Sequence, residues 1–262
     1  MKFMPQWRIR KPADDSQTVY ISEKFGVRSL HIGSDTIQSS MRLARPYDLE
    51  LAYTRSMMAF LLFLPEPRDV LMVGLGGGSV AKFMHHHMPD VRIHAVELSA
   101  EVVNIARQCF KVPVGDERLQ VTIGDGAEYM GEPGPRADVV MVDGYDGESQ
   151  AEALSERQFY RACHARLNHR GIMVVNLWSG DRQFTDALAR IREAFPHGRL
   201  CLPAEKPGNV IVFGFRTAPG RISWQELQHR ADALTSRYAL EFGRFVEGLR
   251  KMNEHDEQGL SW

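Results

Sequence analysis

The chain has 262 residues, 44% of them hydrophobic and 25% charged, with a formal net charge of −1, which fits one large globular domain or a main domain with a small appendage. That near-neutral balance argues against a broad nucleic-acid surface, and no apolar run approaches the ~20 residues needed to span a bilayer. The start, Met1 to Trp7, lacks the apolar core of a signal peptide, and the three scattered cysteines (Cys109, Cys163, Cys201) read as free thiols of a reducing cytoplasm.

From about Gln17 to Met41 short β-prone runs alternate with turns at Phe25-Gly26 and Gly33-Ser34-Asp35, which predicts a small antiparallel sheet. Leu49, Tyr53, Met57, Phe60, Leu61 and Leu64 recur at helical spacing until Pro65 and Pro67 close the segment. The boundary is therefore set between residues 1–48, a small N-terminal β-domain, and residues 49–262. Next comes Val70-Leu71-Met72-Val73, too short for a helix and apolar enough for a buried strand, running into Gly74, Gly76, Gly77 and Gly78.

Strand and helix alternate after that. Helices are expected over Val80–Met88, Ala100–Phe110, Ser155–Leu167 and Phe184–Phe195, and strands over Val91–Val96, Leu119–Ile123, Val139–Val142, Ile172–Leu177 and Val210–Phe215. Ile222–Leu249 reads as largely helical, and the polar tail from Asn253 reads as frayed. Such alternation predicts an α/β fold, a mostly parallel doubly wound sheet with helices on both faces.

Ligands of open α/β sheets sit beyond the carboxyl ends of the strands, so those ends locate the candidate site. The first offers the glycine turn, whose backbone N–H groups can approach a nucleotide or nucleoside, or which is a plain tight connection. The second ends in Glu97, which can accept from both ribose hydroxyls or simply be a solvated acid. The third ends in Gly124-Asp125-Gly126, where Asp125 is either an acceptor for an adenine amino group or a turn former. The fourth ends in Asp143-Gly144-Tyr145-Asp146-Gly147. Two acids three residues apart after a buried strand suit proton transfer, or else cap a following helix. The successive His85, His86 and His87 point about 100° apart on a helix and do not converge on one metal. No Gly-x-Ser-x-Gly elbow or phosphate-loop Gly-Lys-Ser/Thr occurs, and Ser79 stands where a dinucleotide fingerprint wants a small apolar residue.

From Gln38 to about Trp178 the chain resembles the spermidine synthases, the polyamine aminopropyltransferases. The residues that carry the resemblance are Gln38, Tyr53, the run Val73 to Ser79, Val96-Glu97-Leu98-Ser99, Asp125-Gly126, the Asp-x-x-Asp pair Asp143 and Asp146, and Phe159-Tyr160. The resemblance implies a sheet of the class I S-adenosylmethionine methyltransferase type preceded by a small β-domain. It implies decarboxylated S-adenosylmethionine as donor, held by Gln38, Gly74, Gly76, Gly78, Glu97, Leu98, Asp125 and Gly126. Asp143, helped by Tyr53, would deprotonate an attacking amine, and Asp146 and Tyr145 would bind that amine. It further implies a small-molecule amine as acceptor, no metal, and a homodimer. The chain departs from the family pattern at Gly77, where an acid is usual, at Thr54-Arg55, where His-Glu is usual, at Gly147, where proline is usual, and over Pro203–Asn209. Two other readings stay open. One is an S-adenosylmethionine-dependent methyltransferase on the same scaffold, for which Arg55 would suit a donor that keeps its carboxylate. The other is a non-catalytic homologue that senses a nucleoside or polyamine.

Overall fold

The computed structural model describes residues 18–146, 149–150, 152–204 and 208–260. Three short strands come first: β1 (Val19–Lys24), β2 (Val27–Ile32) and β3 (Ile37–Arg42), paired antiparallel in that order. Helix α1 covers Ala52–Met57 and tightens into a 3-10 turn over Met58–Leu62. The expected helix from Leu49 to Leu64 is thus shorter and mixed. Met57 to Leu62 are all fully buried, so the segment has no solvent face and packing rather than amphipathic periodicity shapes it.

The central sheet then builds from β4 (Asp69–Val73), α2 (Ser79–His87), β5 (Arg92–Glu97), α3 (Ala100–Cys109), β6 (Leu119–Ile123), α4 (Gly126–Gly131) and β7 (Ala137–Val142). A two-residue ribbon, β8 (Tyr145–Asp146) with β9 (Ser149–Gln150), leads on to α5 (Arg157–Ala165), β10 (Leu167–Trp178), α6 (Phe184–Ala194), β11 (Arg199–Pro203) and β12 (Asn209–Phe215). Seven strands lie in the order β11-β12-β10-β7-β4-β5-β6. Pairings from β6 through β10 are parallel, and those of β12 with β10 and β11 are antiparallel. The mostly parallel α/β sheet expected from the sequence is therefore present.

Strands β4 and β7, at the centre of the sheet, bury both faces, which is why their runs are apolar. Val70 and Met72 of β4, with Val139 and Met141 of β7, face one core, shared with α2 and the C-terminal helices. Leu71 and Val73, with Val140 and Val142, face the other, shared with α5 and α6. The small sheet has its own cluster, in which Leu30 and Met41 pack on Val102 and Ile105 of α3 and on Phe110 just beyond it.

Two expectations about the C-terminal part are corrected. The C-terminal helical region is two helices, α7 (Trp224–Tyr238) and α8 (Phe242–Met252), broken at Ala239, whose φ of 55° is left-handed. The tail is not frayed up to Leu260. Asn253 bonds the backbone of Cys201 at both N and O, and β14 (Gly259–Leu260) pairs with β13 (Ile222–Ser223). Helix α4 and strand β11 went unread, the first because six residues are too few to show a period and the second because it ends in proline.

Four consecutive residues of β3 bond to the larger unit. The Gln38 carbonyl accepts from the Tyr53 hydroxyl at 3.0 Å, and Ser39 Oγ accepts from Gly77 N at 2.9 Å. The Ser40 carbonyl accepts from Ser79 Oγ at 3.3 Å, and Met41 Sδ from Lys82 Nζ at 3.2 Å. Lys82 Nζ also donates to the Pro46 carbonyl, and burial lowers its pKa to about 8. In the unfolded chain the group titrates near 10.4, so the unfolded state binds the extra proton between those values and stability rises with pH across that window. The whole burden, about 3 kcal/mol, is present below pH 8. Lys82→Met should therefore be more stable than the parent at pH 7, with the advantage shrinking between about pH 8 and pH 10. Urea melts over that range test this, and parallel profiles for the two proteins would refute it.

Candidate active site

The chain reverses direction of growth across the sheet between β4 and β7, and α/β sheets bind ligands at that switch point. The two strand ends are locked together here: Asp143 N donates to the Val73 carbonyl at 2.9 Å, and Gly74 N to the Val96 carbonyl at 2.9 Å. At Gly74, with φ of 94°, an added Cβ would stand 2.3 Å from the Asp143 carbonyl oxygen. No other residue fits the turn where β4 passes β7.

A cleft of about 420 Å³ opens over these ends, within the range of small-molecule sites. Of the residues singled out from sequence, Gln38, Tyr53, Gly74, Gly76, Glu97, Leu98, Asp125, Gly126 and Asp143 all line it. Gly78 does not. It is the left-handed residue that starts α2, buried against Val112. Tyr145 and Asp146 follow Asp143 directly as β8, and their side chains lie outside the described structure, as does Gly147.

Glu97 is fixed by backbone donors. One carboxylate oxygen accepts from Leu75 N at 2.9 Å and Gly76 N at 3.2 Å, and the other from Ser99 N at 3.0 Å. It therefore shapes the glycine turn as well as facing the cleft, and one lone pair remains, on the oxygen that accepts from Ser99. Asp125 caps α4 through one oxygen, which accepts from Ala127 N and Glu128 N at 2.7 and 3.0 Å. Its capping role and its place in the cleft coexist. Leu98 is 71% exposed, an apolar side chain held open beside Glu97.

Asp143 is the half-buried acid at the floor of the cleft. Asn176 Nδ2 donates to its Oδ1 at 3.0 Å, and Asn209 Nδ2 in turn donates to Asn176 Oδ1 at 3.0 Å. The Tyr53 hydroxyl also bonds Asp143. Tyr53 has one proton and two acceptors, Asp143 and the Gln38 carbonyl. Burial raises the Asp143 pKa above the ordinary carboxylate value, with Glu97 adding to the rise and the Asn176 and Tyr53 bonds opposing it. A raised carboxylate is a stronger base, suited to taking a proton near neutral pH. Sequence reasoning missed Asn176 and Asn209. The signal was there: an amide interrupts the apolar strand Ile172–Leu177, at the fifth strand end.

Among the described residues the cleft is lined by four carboxylates, Glu97, Glu101, Asp125 and Asp143, and by no lysine, arginine or histidine. Arg55 is committed elsewhere, to Glu241 at 2.7 Å and to the carbonyls of Leu49 and Glu50. Gly77 faces β3 rather than the cleft, and a Cβ there would lie 2.7 Å from Ser39 Cβ and 3.1 Å from Phe110. Phe159 and Tyr160 are buried in the core under α5. The three adjacent histidines take different partners: His85 bonds Asp116 and Arg118, His86 stacks on Tyr47, and His87 meets Phe83.

With this geometry in place, likeness to known proteins is informative. The Spermine/spermidine synthase domain matches residues 50–204. The polyamine aminopropyltransferase of Chromobacterium violaceum is 40% identical over 247 residues, 94% of this chain and 95% of that protein. A probable spermidine synthase from Corynebacterium glutamicum superposes with a TM-score of 0.71 over 93% of this chain and 94% of its own, at 20% identity, a likeness of fold. Human methyltransferase-like protein 13, solved in complex with SAH, gives a TM-score of 0.63 at 28% identity, covering 79% of this chain and 96% of that one.

Proposed function

The chain belongs to the spermine/spermidine synthase family, and on that premise we propose that it moves the aminopropyl group of decarboxylated S-adenosylmethionine to a small amine such as putrescine, releasing methylthioadenosine. The observation that carries this reading is the charge of the cleft, four carboxylates with no basic side chain among the described lining residues. The decarboxylated donor brings a sulfonium and an ammonium, and the acceptor is a polycation. A donor that keeps its carboxylate would bring a further anion with no cation to meet it.

In this reading Glu97 accepts from a ribose hydroxyl on its one remaining lone pair, Leu98 offers an apolar face to the base, and the second oxygen of Asp125 accepts from the adenine amino group. Gln38 and the glycine turn at Gly74 and Gly76 close the donor side, with Gly126 giving room at the base. Asp146 and Tyr145 hold the distal end of the amine, as the family resemblance implies. The amine nitrogen attacks the propyl carbon bound to sulfur. The new C–N bond forms as the C–S bond breaks, its electron pair passing to sulfur, and the proton from nitrogen goes to Asp143, with the Tyr53 hydroxyl orienting the attack. Because the sulfonium is already a good leaving group, in-line positioning and deprotonation are what the protein has to supply.

Methyl transfer from S-adenosylmethionine is the second reading, favoured by the likeness to human methyltransferase-like protein 13. Arg55, which would suit its carboxylate, is bonded to Glu241 instead. Calorimetry with the two donors separates the readings. The decarboxylated donor should bind at least ~10-fold tighter, a difference of about 1.4 kcal/mol, and a panel of amines should then release methylthioadenosine. Tighter binding of the carboxylated donor, with no methylthioadenosine released, would sink aminopropyl transfer and leave methyl transfer standing.

A further inference from the structure

We propose that Asn209 and Asn176 are positioning residues, a two-amide relay that sets the direction in which Asp143 is hydrogen-bonded and so keeps its carboxylate ready to accept a proton from the amine. The inference rests on the reading of Asp143 as the base. Asn176 is 3% exposed, on a strand whose neighbours in sequence are apolar. An isolated carboxamide can present either end to its neighbour. Here Asn209 donates to the Asn176 oxygen, which leaves the Asn176 NH₂ for Asp143 Oδ1, both at 3.0 Å. Reversing Asn176 would put its oxygen against a carboxylate oxygen and its NH₂ against the NH₂ of Asn209. With Asn209 as donor, the chain of bonds runs toward a charged Asp143.

The relay starts outside the parallel part of the sheet. Asn209 opens β12 and lies opposite Trp178 in the antiparallel pairing, while Asn176 lies opposite Ile211. The Asn209 backbone carbonyl accepts from Ala204 N at 2.9 Å, fixing that residue at the end of the β11–β12 connection. A residue 66 positions along the chain from Asp143 thus bears on the group that takes the proton.

The groups that face or share the cleft with Asp143 are Tyr53 from α1, Glu97 at the end of β5, Glu101 on α3 and Asp125 after β6. Burial and Glu97 favour the neutral acid, while Asn176 and Tyr53 favour the charged one. Removing the amide donor removes one of the two opposing bonds. Asn176→Leu keeps the size of the side chain and deletes both its polar atoms. The acidic limb of kcat/KM should move upward by about one pH unit, read as roughly tenfold lower kcat/KM at a pH below the parent's limb and near-parent rates at high pH. Asn209→Ala, which leaves Asn176 in place without its orienting donor, should shift the limb in the same direction by less.

A merely structural role would lower activity evenly across pH or change stability without moving the limb. That result in both variants, with donor affinity by calorimetry unchanged, overturns the relay. If Asn176→Leu fails to fold, Asn209→Ala alone decides. The base reading fails separately, if Asp143→Asn keeps parental turnover.

Discussion

Asp143→Asn should fold, bind donor with parental affinity and lose turnover by about 10²–10⁴-fold, the usual worth of a general base. The substitution keeps the shape of the side chain and removes the atom that takes the proton. Folding is expected to survive because the parent side chain is a desolvated acid near Glu97, a neighbour that disfavours its charge. An asparagine there relieves that repulsion and can still bond Tyr53. The measurement is single-turnover release of methylthioadenosine beside calorimetry of the donor. Parental turnover in this variant would remove Asp143 from the chemistry, whatever the donor.

Gly77→Asp, which restores the acid usual in the family pattern, should be destabilised by about 3 kcal/mol or more rather than made more active. Two costs add. A Cβ at this position meets Ser39 Cβ at 2.7 Å and a Phe110 ring carbon at 3.1 Å, and overpacking of this kind costs ~1–3 kcal/mol. The carboxylate would also enter a buried place beside a serine and a phenylalanine without a cation, a further few kcal/mol. The hydrogen bond from Gly77 N to Ser39 Oγ is lost if the turn moves to make room. Urea denaturation reads the loss. The double variant with Ser39→Gly should recover part of it, because the two sites are in contact and their effects do not add. A stable single variant with faster transfer would show that the turn can face the cleft in a way this packing does not allow.

Much of the fold was legible because its signals were local. β4, β7 and β12 are short apolar runs bounded by turns, and both faces of the sheet demand that composition. The strand-end acids were legible because topology, once assumed, puts every carboxyl end on one side. What could not be read was whatever depends on distant contact. The period of α1 was extended into Met58–Leu62, where complete burial replaces one-sided burial. Asn253 looked like the start of a loose polar tail, yet its partners lie at Cys201, far back in the chain. Arg55 read as a cation for the cleft, and a glutamate 186 residues on holds it away. Gly77 read as a missing acid, whereas its neighbours Ser39 and Phe110 make it a packing position. In each case the residue type was informative and its partner was not.

The contacts along β3 also bear on solubility. Among the described residues β3 has a strand neighbour on one side only, β2, so its other rim carries backbone acceptors open to pairing with a foreign strand. Two of those acceptors, the carbonyls of Gln38 and Ser40, are taken by the hydroxyls of Tyr53 and Ser79, and Ser39 is taken by the glycine turn. The residues that frame the cleft therefore also seal an edge strand. Loosening Tyr53 or the turn to accept a bulkier ligand would reopen that rim, which sets a limit from aggregation, rather than from chemistry, on how far this site can be widened.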